Sequence, residues 1–341
     1  MMRGATLRGS KQIEVISLPD PRPGPNEVVV EVRATGVCGC SRERPAYEAA
    51  PGAPGPAGRV AGHESAGVVA EAGAGVDTLR PGQRVIVHGY AGCEHCDRCL
   101  AGWPQFCDLT RWSGRDLDGG WATHQVVTPA MCIPLPDELD FEAGTSCACT
   151  AATAFEAFTR MSPRGDETLM IYGVGSMGLA LIPLAQAMGV RVIALEDNAP
   201  RRGLAESLGA WAVLDTRLPD LPSAIADLTS GQGADLAVDP TGTTASKTDC
   251  LRSLRRWGRY AVIGEHSGTT ELPTQELIRR EVTMIGSWSA GRRTVDSLAR
   301  YVARRGIKLG DLVSHRFTLD QADAAFAEYE TKRTGKVVML P

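Results

Sequence analysis

The sequence predicts an α/β protein in two parts, and three observations carry that prediction. The chain has 341 residues, 43% hydrophobic and 22% charged, a length and composition that suit two domains better than one. Residues 27–37 and 66–87 are rich in alternating valine punctuated by glycine and proline, so the first 140 residues read as largely β. Near residue 150 the texture changes to near-continuous apolar runs separated by helical patterns. Such alternation is the mark of a parallel sheet covered on both faces.

The elements follow in order. A glycine- and proline-rich loop, poor in charge, fills residues 51–62. Six strand-like runs lie between residues 167 and 288: "ETLMIYGVG", "VRVIALED", "AWAVLD", "ADLAVDPTG", "GRYAVIGE" and "VTMIGSW". Two amphipathic helices, "RTVDSLARYVARRG" and "LDQADAAFAEYETK", precede a last strand, "GKVVMLP". A net charge of -4 gives no electrostatic reason to expect nucleic acid or an anionic membrane as partner. The first residues lack the apolar core of a signal peptide, and there is no apolar run of about 18 residues, so the expected location is the cytoplasm.

The run "IYGVGSMG" places Gly173, Gly175 and Gly178 as GxGxxG between a strand and a helix. The first glycine permits the tight turn, the second lets backbone approach a pyrophosphate, and the third allows close helix–strand packing. The helix N-terminus then faces the phosphates. Ser176 and Met177 inside this turn, and Ile263 after "RYAV", are further coenzyme candidates. The next strand ends in Glu196, where a carboxylate can accept bonds from both ribose hydroxyls. Glu196 and Asp197 would repel a 2′-phosphate and favour NAD. Arg201 and Arg202 pull toward NADP.

Ten cysteines are many for a reducing compartment, and their placement matters more than their number. Cys93, Cys96, Cys99 and Cys107 leave gaps of two, two and seven residues, which lets four thiolates close on one tetrahedral zinc. A closed shell of this kind is structural. An iron–sulfur centre is the rival reading, and His95 inside the loop is not needed as a ligand. Cys38 and Cys40 stand one glycine apart in "GVCGCSRERP", and Cys147 and Cys149 do the same in "TSCACTAATAF".

Taken together, "GVCG", "AGHESAG", the four-cysteine run and the GxGxxG resemble, in that order along the whole chain, the zinc-dependent medium-chain alcohol dehydrogenases. The resemblance implies a GroES-like β-rich catalytic domain over residues 1–150, with the structural-zinc lobe at 89–110. A Rossmann NAD-binding domain with a doubly wound parallel sheet then spans 151–286, and 287–341 returns to the catalytic domain. It implies a catalytic zinc held by Cys38, His63 and Cys149, with Glu64 able to swing onto the metal. Cys149 fits because Thr153 follows four residues on and Phe155 six residues on; Cys147 lacks that context and is assigned to the core. Thr153 is expected at the nicotinamide and Lys336 at the pyrophosphate. Two zincs per chain and NAD are the expected cofactors.

The chain also departs from the family. Where a relay serine or threonine is usual, it carries Cys40, a weak hydrogen-bonding group. The relay could run through Cys40, through the neighbouring Ser41, through Glu43 and water, or through water with Cys40 only filling space. Gly89 replaces an aromatic that narrows the site, and Trp121 and Trp288 resemble pocket walls, with core or interface packing as their other reading. A roomy pocket suggests an alcohol or carbonyl larger than ethanol. The rival functions are reduction of an activated C=C or C=N bond and a non-catalytic NAD-binding zinc protein. A homodimer or homotetramer is expected, joined along the edge strand "VTMIGSW".

Overall fold

The computed structural model describes residues 1–40, 48, 59–265 and 274–341, so Ser41 and Glu43 lie outside the described residues. Two compact units emerge. One joins Met1–Ala152 to Ala290–Pro341, and the other is the continuous stretch Thr153–Ser289.

The first unit begins with a hairpin, β1 (Met2–Gly9) and β2 (Gln12–Leu18). Its main sheet uses β3 (Val28–Gly36), β4 (Ser65–Ala72), β5 (Arg84–Val87), β8 (His124–Val127) and β9 (Cys132–Pro134), with the small pair β6 (Tyr90–Ala91) and β7 (Arg111–Trp112) beside it. The valines at 28, 29, 30 and 32 are all buried, because β3 is flanked by both β4 and β8. Helix α1 (Phe141–Ala148) packs on this sheet, and Asp140 caps it by accepting the Ala143 N–H at 2.6 Å. Helix α2 (Thr150–Arg160) follows after one residue, Cys149, whose φ of -146° breaks the helical path.

The second unit holds six parallel strands: β10 (Thr168–Tyr172), β11 (Arg191–Leu195), β12 (Ala212–Leu214), β13 (Ala234–Asp239), β14 (Leu254–Val262) and β15 (Thr283–Gly286). Their spatial order is β12-β11-β10-β13-β14-β15, with β15 at one edge. The order reverses between β10 and β13, and ligands of such sheets bind at that switch point, beyond the strands' C-terminal ends. All five residues of β10 are buried, as a strand covered on both faces must be. Helices α3 (Ser176–Gln186), α4 (Ala199–Ser207), α5 (Leu221–Leu228), α6 (Thr244–Ser253) and α7 (Thr274–Arg280) alternate with these strands.

The chain then returns to the first unit through α8 (Arg292–Arg305), β16 (Val313–Thr318), α9 (Ala322–Glu330) and β17 (Lys336–Leu340). Strand β17 lies between β16 and β3, so the last residues of the chain border the sheet's central strand. Among the described residues no helix is long and apolar enough to cross a membrane.

Candidate active site

Three separate segments of the first unit meet in one cluster. Strand β3 runs out into Val37 and Cys38. Val37 donates its N–H to the Val337 carbonyl at 2.9 Å, and Gly36 donates to the Glu64 carbonyl at 2.8 Å. His63 and Glu64 directly precede β4, and Cys149 sits at the break between α1 and α2. One donor atom from each of Cys38, His63, Glu64 and Cys149 lies within 4.8 Å of the others. Glu64 is fully buried; the other three are half-buried.

The electrostatics of this cluster ask for a cation. The Cys149 contact, then burial and the Glu64 carboxylate, push the Cys38 thiol well above its ordinary range. The Cys38 contact pulls Cys149 down, but burial and Glu64 outweigh it and the thiol is also raised. The opposing charge is Lys336, whose ammonium pairs with Glu64 Oε2 and lies 3.5 Å from the Val37 carbonyl. The second carboxylate oxygen, Glu64 Oε1, is buried with no hydrogen-bond partner among the described residues. Two thiols, an imidazole and an orphaned carboxylate oxygen are a donor set that fits zinc, and a divalent ion would reverse the thiols' preference for their protons.

The second cluster is local. Cys93, Cys96, Cys99 and Cys107 bring their sulfurs within 4.8 Å of one another. Backbone N–H groups of Cys96 and Cys93 point at the sulfurs of Cys93 and Cys107, each at 3.4 Å. Backbone donation, from His95 first, lowers the Cys93 thiol to about 6, which readies it as a thiolate. The His95 ring faces the Cys93 carbonyl at 2.6 Å and does not join the cluster. These four residues also fit zinc.

The glycine turn follows β10 in the second unit. Gly173 has φ +95°, and a Cβ there would lie 2.1 Å from the Thr241 hydroxyl. A Cβ on Gly178 would lie 2.4 Å from the Gly173 carbonyl, the close approach expected of the third glycine. Gly175 precedes α3, which has no side-chain cap, and the Arg201 guanidinium lies beside it. Ser176 and Met177 open that helix. Glu196 stands beside the turn: its carboxylate accepts from Val174 N–H at 3.0 Å and Asn198 N–H at 3.1 Å, and burial raises its pKa. Asp197 is exposed, while Arg202 is tied to the Glu196 carbonyl and Asp215. Thr153 on α2 and Ile263 after β14 are both buried.

The remaining candidates divide. Gly89 faces His63: a Cβ there would sit 3.4 Å from the His63 Cβ, an ordinary van der Waals contact. Trp288 is half-buried in the second unit. Trp121 is corrected from pocket wall to core. It is fully buried, donates its indole N–H to the Gly36 carbonyl at 3.0 Å, and packs edge-on against Phe326 at 5.9 Å. Gly62 makes room for it, with φ +93° and a Cβ position 2.1 Å from the indole. Lys336, expected at the pyrophosphate, has its ammonium buried on Glu64, because β17 lies beside β3. Cys40 is half-buried and near enough to bear electrostatically on Cys149. Cys147 is fully buried in α1, and burial pushes its thiol up to about 12. Tyr329, which sequence reasoning passed over, meets the backbone of Gly39 between Cys38 and Cys40.

Comparison with known proteins places this architecture. A model of the alcohol dehydrogenase GroES-like domain matches residues 24–137, and one of the zinc-binding dehydrogenase matches 176–304. The chain is 31% identical to an uncharacterized zinc-type alcohol dehydrogenase-like protein, YphC, of Escherichia coli K12, over 99% of this chain and 98% of that one. A solved NAD-dependent alcohol dehydrogenase is 29% identical, with all of both chains covered and a TM-score of 0.87. A protein of Sinorhizobium meliloti 1021 described as a zinc-binding dehydrogenase, bound to NADP, is 27% identical, with 100% of this chain and 99% of that one covered and a TM-score of 0.87. The chain belongs to the zinc-type alcohol dehydrogenase family. It is thus an oxidoreductase of the zinc-type alcohol dehydrogenase family, consistent with hydride transfer involving a nicotinamide cofactor.

Proposed function

We propose a zinc- and NAD-dependent dehydrogenase acting on primary or secondary alcohols larger than ethanol, with its catalytic metal on Cys38, His63 and Cys149. The observation that carries this reading is the meeting of those donors with Glu64, one carboxylate oxygen of which has no hydrogen-bond partner among the described residues. The chemistry an ion supplies there is Lewis-acid polarisation of the substrate oxygen. Glu64 supplies a spare donor beside the cluster, and Lys336 offsets its charge. Gly173, Gly175 and Gly178 let the coenzyme pyrophosphate approach the α3 N-terminus. Thr153 contacts the nicotinamide. Cys40 carries the reaction proton toward solvent, with Ser41 and Glu43, which lie outside the described residues, as the alternative carriers. The four-cysteine lobe holds a second, structural zinc.

Solved relatives with NAD and with NADP both exist, so the coenzyme preference rests on this chain's own residues. Glu196 at the tip of β11 favours a ribose with free hydroxyls, and Asp197 adds to that charge. Arg201 beside Gly175 works the other way. The room at Gly89 supports a bulky substrate, a reading to which Trp121 no longer contributes. The sheet edge at β15, where Met284 is partly exposed, supports a homo-oligomer joined there.

Metal analysis together with an alcohol panel, followed by NADH absorbance, tests the proposal. Two zincs per chain, turnover with NAD, and bulkier alcohols outperforming ethanol are expected. One zinc and no turnover overturn the catalytic reading. A higher kcat/KM with NADP overturns the coenzyme assignment, and ethanol as the best substrate overturns the pocket assignment.

A further inference from the structure

Helix α9 buries one face, and that face leads to the metal cluster. Ala322, Ala325, Phe326 and Tyr329 fall at helical spacings of three, four and seven; the first three are buried and Tyr329 is half-buried. Phe326 touches Trp121 on one side and Tyr329 on the other, with ring centroids 5.9 Å apart in each pair. The ends of this aromatic row hold the cluster's backbone. Trp121 donates to the Gly36 carbonyl and fills the space left at Gly62, next to His63. The Tyr329 hydroxyl accepts the Gly39 N–H at 3.0 Å. One row therefore braces both the Cys38 turn and the His63 segment.

We propose that Tyr329 is a positioning residue for the Cys38–Gly39–Cys40 turn. The inference rests on the metal-site assignment proposed above. The Gly39 peptide sits between the ligand Cys38 and the thiol of Cys40, so fixing its N–H fixes where both sulfurs are carried. The absence of a side chain at Gly39 belongs to the same device: a Cβ there would lie 2.4 Å from the Tyr329 hydroxyl. A leucine at 329 would fill the same space and leave the Gly39 N–H without this acceptor.

The test compares zinc release to a chromogenic chelator from the full-length, zinc-loaded chain and from its Tyr329→Phe variant. The Cys38→Ala variant identifies which release phase belongs to the Cys38 cluster. In Tyr329→Phe that phase is expected to quicken roughly three- to tenfold, the worth of one hydrogen bond, while the lobe phase stays unchanged. Turnover is expected to fall with KM for the coenzyme unchanged. If both phases quicken equally, or neither does, Tyr329 is only a packing residue and the proposal is overturned. Gly39→Ala supplies a second route: its effect on the same phase should shrink in the Tyr329→Phe background, and full additivity counts against the proposal. A Cys38→Ala protein that still carries two zincs overturns the site assignment itself, an outcome distinct from failure at Tyr329.

Discussion

The two sulfur clusters differ in where their donors come from. The lobe takes all four from residues 93–107, whereas the other cluster collects residues 38, 63, 64 and 149. The lobe cysteines are mostly half-buried, and backbone N–H groups point at the sulfurs of Cys93 and Cys107; that donation lowers the Cys93 thiol to about 6, while burial raises Cys99 to about 12. The second cluster is set among buried groups, with thiol pKa values raised and a carboxylate paired with Lys336. A local site organises its own loop. A dispersed site depends on the whole unit being folded.

The sharpest way to break the comparison is to remove one sulfur from each. Cys38→Ala should reduce turnover by on the order of a thousandfold or more, since the reacting oxygen loses its electrostatic partner, with the lobe zinc retained. Cys107→Ser should instead cost several kcal/mol of stability and on the order of 10 °C in Tm. Zinc counting, steady-state kinetics and calorimetry separate the two. Equal damage to activity and stability in both variants would erase the distinction.

The next effect concerns charge balance. Lys336→Met strands Glu64 as an unpaired buried carboxylate and should destabilise the chain by about 3 to 5 kcal/mol. Adding Glu64→Gln should recover much of that loss in denaturant titrations. No recovery would mean that Lys336 acts through packing alone.

Smaller again is the effect of Cys40→Ala, expected to lower turnover at neutral pH by about ten- to a hundredfold with zinc content constant. Unchanged activity would leave water as the carrier. The smallest effect lies at His88, whose ring is buried with Nε2 on the Ala290 carbonyl. Burial lowers its pKa, so the native state refuses a proton that the unfolded chain accepts below about pH 6.5. Stability should therefore fall as pH drops below that value, and His88→Asn should flatten the slope. An unchanged slope would assign acid sensitivity to other groups.

The lobe was legible from spacing alone because its geometry is local. The GxGxxG turn was legible too: the steric reasons for Gly173 and Gly178 reappear as close approaches to Thr241 and to the Gly173 carbonyl, whereas Gly175 has only ordinary contact with Arg201. The strands of the second unit were visible as apolar runs. The Cys38 cluster was visible only through family resemblance, since nothing local links residue 38 to residue 149. Trp121 stayed open between pocket wall and core because an indole in "DGGWATH" carries no sign of which side it faces. The space it fills is made by Gly62, far away in sequence. The partner of Lys336 is 272 residues distant. Tyr329 did leave a signal, as the last apolar-face position of α9, but the Gly39 N–H it receives had none.

The position of β17 also bears on how the protein is made. The second unit, Thr153–Ser289, is continuous and is complete once residue 289 has been synthesised. The first unit waits for residues 290–341, and Lys336 is among the last of these to leave the ribosome. Until then, Glu64 and the two thiols beside it lack their countercharge. Domains fold as units as they emerge, N-terminal first in the usual case. Here the order is inverted: the coenzyme-type unit can be finished while the metal cluster still awaits Lys336.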